Sequence, residues 1–192
     1  MKKAPKDTAD IDLQDFDIEI RRDGRWFHEG GEIKRQGLVK LFASVLSCDD
    51  EGRYWLTTPV EKGEIRVEDA PFVIVSLRRE GTGKGQNIYL TDNLDNEYLL
   101  SYETPLMMRA VKSADGISGA GISGEARPYL LLDKGLTALI KHAVFYEMAE
   151  LALEALGDEV ADDEVEEAGA MVLWSDGQAF SLVADEPSQA GH

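Results

Sequence analysis

The residues best suited to binding chemistry lie in one short stretch, HEGGEIKR, at positions 28–35. It combines a histidine, two glycines that free backbone N–H groups, and two cations at the start of an expected helix. A helix N-terminus carries a partial positive charge, so basic residues there are unfavourable unless an anion binds beside them. We therefore predict an anion-binding site that contains His28, Lys34 and Arg35.

The same residues also have structural interpretations. His28 can hydrogen-bond to Glu29 instead of facing a cleft. Lys34 and Arg35 can pair with Glu29 and Glu32, and surface ion pairs of this kind contribute only about 0–1 kcal/mol. The case for a site therefore depends on the whole collection of groups, since each residue taken singly has a structural explanation.

Part of this chemistry recurs later in the chain. Arg127 precedes a second predicted helix and Lys134 lies at its start. If the two regions face each other, Arg127 and Lys134 are expected to complete the anion site. His142, three residues before Phe145, is instead expected to be a buried, hydrogen-bonded histidine.

Other motifs predict no catalytic residue, metal ion or cofactor. GAGISG at 119–124 matches a dinucleotide-binding pattern, but an expected strand follows it where a helix would be required. GTGKGQ at 81–86 lacks the residues of a phosphate-binding P-loop and is expected to be a hairpin loop. DNLDNE at 92–97 lacks the glycine of a calcium loop and is expected to form a turn, and the histidines lack neighbouring ligands at metal-binding spacing.

Composition narrows the class of protein further. The 192 residues suffice for one sizeable domain or two small ones, and the formal charge is −17 from 37 acidic and 20 basic side chains. Such a charge repels phosphate backbones, which argues against binding to nucleic-acid backbones. The sequence shows no secretory signal and no apolar run long enough for membrane insertion, and Cys48 is the only cysteine. A cytoplasmic protein is therefore expected.

Apolar periodicity predicts two helices within a largely antiparallel β structure. The first helix runs from Ile33 to about Ser47, and the second begins at Asp133 and ends at Gly157. The apolar stripe of the first helix contains Leu38, Leu41, Phe42, Val45 and Leu46. Trp26 and Phe27 before the first helix are expected in the core or an interface. The predicted strands are RYWLTT, EIRV, PFVIVSLR, NIYLT, EYLLSY and RPYLLL, followed by a hairpin of MVLW and AFSLV around a D-G turn.

The two helical regions follow a similar order. Each has an arginine near an aromatic residue, then a helix, then a turn and strand containing tryptophan. This order predicts an α+β protein of two lobes from an internal duplication, each an antiparallel sheet with one main helix. We assign a flexible tail to 1–14, an N-terminal lobe to 15–82, a C-terminal lobe to 86–186 and a second tail to 187–192. A boundary near Thr104-Pro105 is the alternative.

Three long blocks carry a resemblance to a known family: RDGRWFHEGGEIKRQGLVKLFASVL, GRYWLTTPVEKGEIRVEDAPFV and RPYLLLDKGLTALIKHAVFYEMAELA. Over most of Asp17 to Val183 the chain resembles the bacterial family catalogued as domain of unknown function 1285. The resemblance implies a duplicated α+β core, a second lobe similar to a pleckstrin-homology fold, and a ligand site between the lobes. It also implies a nucleotide-like ligand and a signalling role, and it supplies no catalytic residues.

The leading functional hypothesis is a non-enzymatic protein that binds an anionic, nucleotide-like small molecule between its lobes, as a sensor or adaptor in signalling. The alternative is a pleckstrin-like module that binds a protein or peptide partner through a sheet edge or groove. A hydrolase or transferase is the third possibility. A deep basic cleft would favour the first hypothesis, whereas an exposed apolar groove or open edge would favour the second.

Overall fold

A computed structural model describes residues 12–110, 126–158 and 171–183. The chain divides into two compact units. The first contains Met1–Pro71 and Lys134–Leu136, and the second contains Phe72–Asp133 and Thr137–His192. The division after Pro71 precedes the glycine-rich loop at 81–86, where the sequence analysis placed the boundary.

The first unit is a six-stranded sheet with one helix, and its strands lie in the order β3-β2-β1-β6-β5-β4. β1 and β6 run parallel, and every other neighbouring pair in this sheet is antiparallel. The elements are β1 (Asp12–Ile20), β2 (Trp26–His28), β3 (Gly31–Glu32), α1 (Gln36–Ser44), β4 (Leu46–Cys48), β5 (Tyr54–Thr57) and β6 (Glu61–Val67).

The second unit also contains a six-stranded sheet, in the order β10-β11-β12-β7-β8-β9, with β12 and β7 parallel. α2 packs against β7 and against a separate hairpin of β13 and β14. The elements are β7 (Phe72–Glu80), β8 (Asn87–Asp92), β9 (Glu97–Leu99), β10 (Leu106–Ala110), β11 (Ala126–Leu131), β12 (Thr137–Ile140), α2 (His142–Asp158), β13 (Val172–Ser175) and β14 (Gln178–Ser181).

Both sheets are therefore mixed, and the α+β class is confirmed while the prediction of purely antiparallel sheets is wrong at two pairs. The internal duplication predicted from the two helical regions is not confirmed, because the hairpins that follow the two helices differ in sheet membership. β4 and β5 belong to a six-stranded sheet, whereas β13 and β14 form a sheet of their own. Parallel partners lie far apart in the chain, so local periodicity does not reveal them.

The two helices differ from their predicted bounds. α1 begins at Gln36, with Arg35 at its N-cap, so Lys34 and Arg35 precede the first turn and do not lie in it. The helix expected from Asp133 is wrong over its first part, where a short 3-10 turn leads into β12. Lys134 and Gly135 have φ angles of 53° and 71°, and two successive left-handed residues cannot continue a right-handed helix.

The start of α2 also shows that one prediction about a histidine is wrong. His142 is the first residue of this helix and is exposed, so its expected burial is wrong. Most of the predicted strands are confirmed, but β1 begins at Asp12, inside the segment assigned to the N-terminal tail. Cys48 is a half-buried residue of β4. Predictions for 1–11, 111–125, 159–170 and 184–192, including GAGISG and the tail at 187–192, fall outside the described residues.

The core of the first unit is centred on Trp26, which is 1% exposed. Its ring stacks on Phe42 of α1, with ring centroids 6.3 Å apart and an interplanar angle of 21°. Phe27 is buried as well, so the prediction of core positions for both aromatics is confirmed. In the described part of the chain, no helix is long and apolar enough to cross a membrane.

A buried carboxylate organises the turn between β8 and β9. Asp92 accepts hydrogen bonds from the backbone N–H groups of Leu94 (2.8 Å) and Asn96 (2.9 Å), the Asn96 side-chain amide (2.9 Å) and the Tyr98 hydroxyl (3.0 Å). Burial and the nearby Asp92 charge raise the pKa of Tyr98. The DNLDNE segment is therefore a turn, as predicted, and GTGKGQ likewise lies between the hairpin strands β7 and β8.

A second carboxylate, Asp49, organises the turn between β4 and β5. Its oxygens accept hydrogen bonds from the backbone N–H groups of Glu51 (3.0 Å) and Arg53 (2.9 Å), the Arg53 guanidinium (3.0 Å) and the Trp55 indole N–H (2.9 Å). The indole bond, followed by the bond from the Arg53 backbone, lowers the pKa of Asp49 from 3.8 to about 2. The ionised form is thus the one that the folded turn stabilises.

Because the pKa of Asp49 is lower in the folded state, its contribution to stability is present above about pH 4 and is lost as the pH falls towards 2. Asp49→Asn should therefore lower Tm at pH 7, and the difference from the wild type should shrink between pH 4 and 2. Thermal unfolding followed by circular dichroism across this range measures the effect, with Asp50→Asn as the exposed neighbouring control. Parallel curves for wild type and Asp49→Asn would contradict the assignment.

Candidate functional site

The first unit contains a cavity of about 430 Å³, which lies within the range of about 300–1,000 Å³ typical of small-molecule sites. Seven of its ten lining residues are apolar and three are polar. Such a lining suits the apolar body of a ligand, with a few polar groups left to orient it. The lining residues are Phe16, Ile18, His28, Ile33, Leu38, Phe42, Val45, Leu56, Thr58 and Glu61.

One wall comes from a β-bulge in β1. Between Asp15 and Glu19 this strand advances four residues while its partner β6 advances two, from Glu64 to Arg66. Asp17 within the bulge has a φ angle of 45°. Phe16, on the N-terminal side of Asp17, contributes its half-buried ring to the cavity. Bulges of this kind change the direction of side chains beside functional sites.

The facing wall comes from α1. Leu38, Phe42 and Val45 occur at i, i+4 and i+7, which places them on one side of the helix, and all three line the cavity. Leu41, which the sequence analysis included in the same stripe, is 60% exposed. Most of the predicted stripe is therefore confirmed as the inward side of the helix. Leu38, Phe42 and Val45 border the cavity.

Two of the three polar lining residues are available to a ligand. The Thr58 hydroxyl donates to the Glu61 carbonyl oxygen (3.1 Å) and accepts from the Glu61 backbone N–H (3.0 Å), so it is engaged in the turn before β6. His28 and Glu61 are exposed, and within the described ranges neither side chain has a hydrogen bond or an ion pair. These two groups are free to meet the polar end of a bound molecule.

His28 is thus the predicted site residue that the structure places at the cavity. Lys34 and Arg35 are exposed and follow Ile33, itself a lining residue, along the chain. Neither pairs with Glu29 or Glu32 among residues 12–110, and the Glu32 carboxylate instead lies 3.6 Å from Arg25. The start of α1 has no acidic residue in its first turn and no side-chain cap.

Lys134 and Arg127 occupy other places. The Lys134 ammonium donates to the carbonyl oxygen of Ser44 at 3.3 Å, and Ser44 is the last residue of α1. A helix of this length spans about 13 Å, so Lys134 contacts the end opposite to Lys34 and Arg35, where a cation complements the helix dipole. Arg127 is half-buried in β11 of the second unit.

Phe16, Thr58 and Glu61 were not identified from the sequence. The signal for Phe16 was present, since DFDIEI at 15–20 alternates polar and apolar residues as a half-buried strand does. Thr58 and Glu61 belong to a turn, and no residue pattern indicates which turns border a cavity. The two predictions that bear on this site are the helix stripe, which concerns α1, and the anion stretch, which includes His28 of β2.

The second unit has a smaller cavity of about 130 Å³ beside the 81–86 loop. Two of its lining side chains, Arg79 and Glu154, pair with each other at 2.7 Å. Among the described residues, no group of three or more histidine, cysteine, aspartate or glutamate side chains is placed to hold a metal ion. The larger cavity of the first unit is therefore the stronger candidate for ligand binding.

Comparison with known proteins identifies relatives over nearly the whole chain. Residues 5–70 match the N-terminal domain of the domain of unknown function DUF1285, and residues 71–182 match its C-terminal domain. The crystal structure of a DUF1285 family protein from Silicibacter pomeroyi DSS-3 is similar, with 34% identity, a TM-score of 0.70 and coverage of 91% of this chain and 84% of that one.

A second DUF1285 family protein, from Shewanella baltica OS155, is 26% identical with a TM-score of 0.51, and the match covers 70% of this chain and 91% of that one. No curated protein matches the sequence.

Proposed function

We propose that this chain, which belongs to the DUF1285 family, is a non-enzymatic protein that binds an anionic, nucleotide-like small molecule in its first unit. The single observation that carries the proposal is the cavity of about 430 Å³, with apolar walls and two available polar side chains. The ligand places a flat ring system in the cavity and its anionic group near the start of α1.

The chemistry of the cavity suits the ring system of the ligand, and the chemistry of the start of α1 suits its anionic group. Phe16 and Phe42 offer aromatic surfaces to a ring, and His28 and Glu61 offer hydrogen-bonding groups to its edge. Lys34 and Arg35 are adjacent cations beside an uncapped helix start. An anion there relieves their mutual repulsion, and the Arg35 guanidinium can bind a phosphate through two parallel hydrogen bonds.

Adenosine monophosphate, adenosine and inorganic phosphate test this proposal by thermal shift. The monophosphate should stabilise the fold most, and at 100 times its Kd the gain is about 2.7 kcal/mol. Adenosine should stabilise less and phosphate alone should have little effect, because each occupies half of the site. Arg35→Ala should weaken the monophosphate about tenfold or more and leave adenosine unchanged, since the loss of a charged hydrogen bond costs about 1.5–3 kcal/mol.

Lys40→Ala, a change to an exposed cation within α1, is the matched control and should bind the monophosphate as the wild type does. Equal responses of Arg35→Ala and Lys40→Ala would remove the anion part of the proposal. The absence of any shift with the three compounds would count against a nucleotide-like ligand.

A role as a sensor or adaptor in cytoplasmic signal transduction is part of the same proposal. The lone Cys48 suits a reducing compartment. An enzyme would turn over a substrate. Because we propose a non-enzymatic protein, we expect no hydrolysis when the purified protein is assayed against phosphoesters, esters and peptides. Robust hydrolysis that a single substitution abolishes would overturn the non-enzymatic assignment.

We also propose an internal duplication. It matches β1–β6 with β7–β12, whereas the sequence pattern matched the two helical regions. Each six-stranded sheet consists of two three-stranded meanders joined by parallel pairing of the first and sixth strands, β1 with β6 and β7 with β12. The same strand order in both units supports descent from one ancestral unit. A crystal structure in which β1–β6 superposes on β7–β12 would support it, and opposite chain directions in the two sets of strands would refute it.

The alternative function, a pleckstrin-like module for a protein or peptide partner, has one observation in its favour. In the described part of the chain β10 has a single neighbour, β11, and its Leu106, Met107 and Met108 side chains are only half-buried. Edge strands can pair with an extended peptide, and methionine adapts to varied partners. This function would take precedence if the nucleotide series leaves Tm unchanged.

A further inference from the structure

Position 63 in β6 must be glycine, because the ring of Phe16 leaves no room for a side chain there. A Cβ placed on Gly63 would lie 2.1 Å from Cδ2, 2.2 Å from Cε2 and 2.6 Å from Cγ of Phe16. Non-bonded carbon atoms in proteins approach to about 3.5–4.0 Å, so no side chain fits there while the ring keeps its place. The φ angle of Gly63 lies outside the left-handed region, so conformational freedom does not explain this glycine.

The position of the Phe16 ring is set by the bulge. The backbone N–H of Asp17 donates to the Asp15 carboxylate at 3.0 Å, and the Asp17 carbonyl accepts from the backbone N–H of Glu29 at 3.2 Å. Arg66 of β6 donates to the Asp17 carboxylate at 3.1 Å. These contacts join the bulge to the residue that follows β2 and to β6, and so define the backbone position from which the Phe16 side chain projects.

The same Phe16 ring lines the cavity of the first unit. The half-buried ring can be displaced from Gly63 only into space that is not already close-packed, and the cavity that it lines is such a space. The cavity is open space that the ring already borders. A side chain at position 63 would therefore push the ring into the cavity and reduce its volume.

We propose that Phe16, seated on Gly63, determines the size of ligand that the first unit accepts. This inference rests on the proposed ligand-binding function and assigns the pair a role in specificity. A methyl group at position 63 makes the site smaller, and removal of the ring at position 16 makes it larger.

Two anionic aromatic probes of different size test the inference, benzoate and 1-anilinonaphthalene-8-sulfonate. Relative to the wild type, Gly63→Ala should weaken the larger probe at least tenfold and benzoate less. Phe16→Ala should tighten the larger probe and weaken benzoate, which would fill the enlarged cavity poorly. Gly85→Ala, in the second unit, is the control, since a Cβ at Gly85 meets no atom within 4 Å, and it should leave both affinities unchanged.

Gly63→Ala could lose its fold instead of rearranging, so the double variant Phe16→Ala/Gly63→Ala decides the matter. With the ring absent the methyl group has room, and the double variant should recover a wild-type near-ultraviolet circular dichroism spectrum and bind the larger probe. Failure of the wild type to bind either probe would count against the cavity as the binding site. If the wild type binds the probes, and Phe16→Ala and the double variant keep the size preference of the wild type, the Phe16–Gly63 inference is overturned. The proposed function would still stand in that case.

Discussion

Trp26→Ala is expected to lower the free energy of unfolding by about 3–5 kcal/mol, the usual range for removing a buried aromatic side chain. Trp26 is 1% exposed, and its ring stacks on Phe42, which also lines the cavity of the first unit. The substitution removes the largest buried side chain of the unit together with this stacking contact. Urea unfolding followed by far-ultraviolet circular dichroism measures the loss.

Trp26→Phe should cost much less, about 1.5 kcal/mol or below, for a reason specific to this site. Among the described residues the buried indole N–H of Trp26 has no hydrogen-bond partner. Phenylalanine removes that unsatisfied donor, which offsets part of the lost packing. Trp55→Phe is the comparison, because the Trp55 indole donates to Asp49. A Trp26→Phe variant as unstable as Trp26→Ala would contradict this account.

Asp92→Ala is expected to destabilise the protein by about 3 kcal/mol or more, because buried donors lose a charged acceptor. Asp92 is 1% exposed, and its carboxylate accepts bonds from Leu94, Asn96 and Tyr98. The turn between β8 and β9 would lose its organising group. Differential scanning calorimetry measures the effect.

Asp50→Ala serves as the control for Asp92→Ala, since Asp50 is exposed and should change stability by less than about 0.5 kcal/mol. Asp92→Asn should fall between the two, because the amide keeps the shape and one acceptor oxygen but loses the charge. Equal stabilities of Asp92→Ala and Asp50→Ala would show that the buried network contributes little to folding.

Local patterns predicted the elements whose partners are near in sequence. The D-G hairpin is present, with Asp176 and Gly177 at φ angles of 51° and 69°, as a two-residue turn between antiparallel strands requires. β12 was mistaken for helix because the apolar residues Leu136, Leu139 and Ile140 also fit a helical period. Its strand conformation depends on pairing with β7 and β11, and neither the parallel partner nor its register is visible in a local window.

The candidate site shows the same limit. His28 was singled out for its chemistry and lies at the cavity, and Leu38, Phe42 and Val45 were recognised as the apolar side of a helix. Phe16 was not recognised, because its role depends on a bulge against a strand that follows 47 residues later and on Gly63 in that strand. Charge and periodicity indicate which residues can bind, whereas the cavity arises from how the chain returns on itself.

The parallel pairing of first and sixth strands has a consequence for the order in which the chain folds. Asp12 pairs with Glu61, 49 positions later, so the first sheet has high contact order and cannot close until its last strand has been made. The first unit also includes Lys134–Leu136, where the Gly135 backbone lies against Cys48. On the ribosome, the 65 residues that follow Pro71, up to Leu136, take about 3–13 s to add at about 5–20 residues per second. During that interval the nascent first unit lacks one of its own parts, and a chaperone that covers its apolar surface would have most effect then.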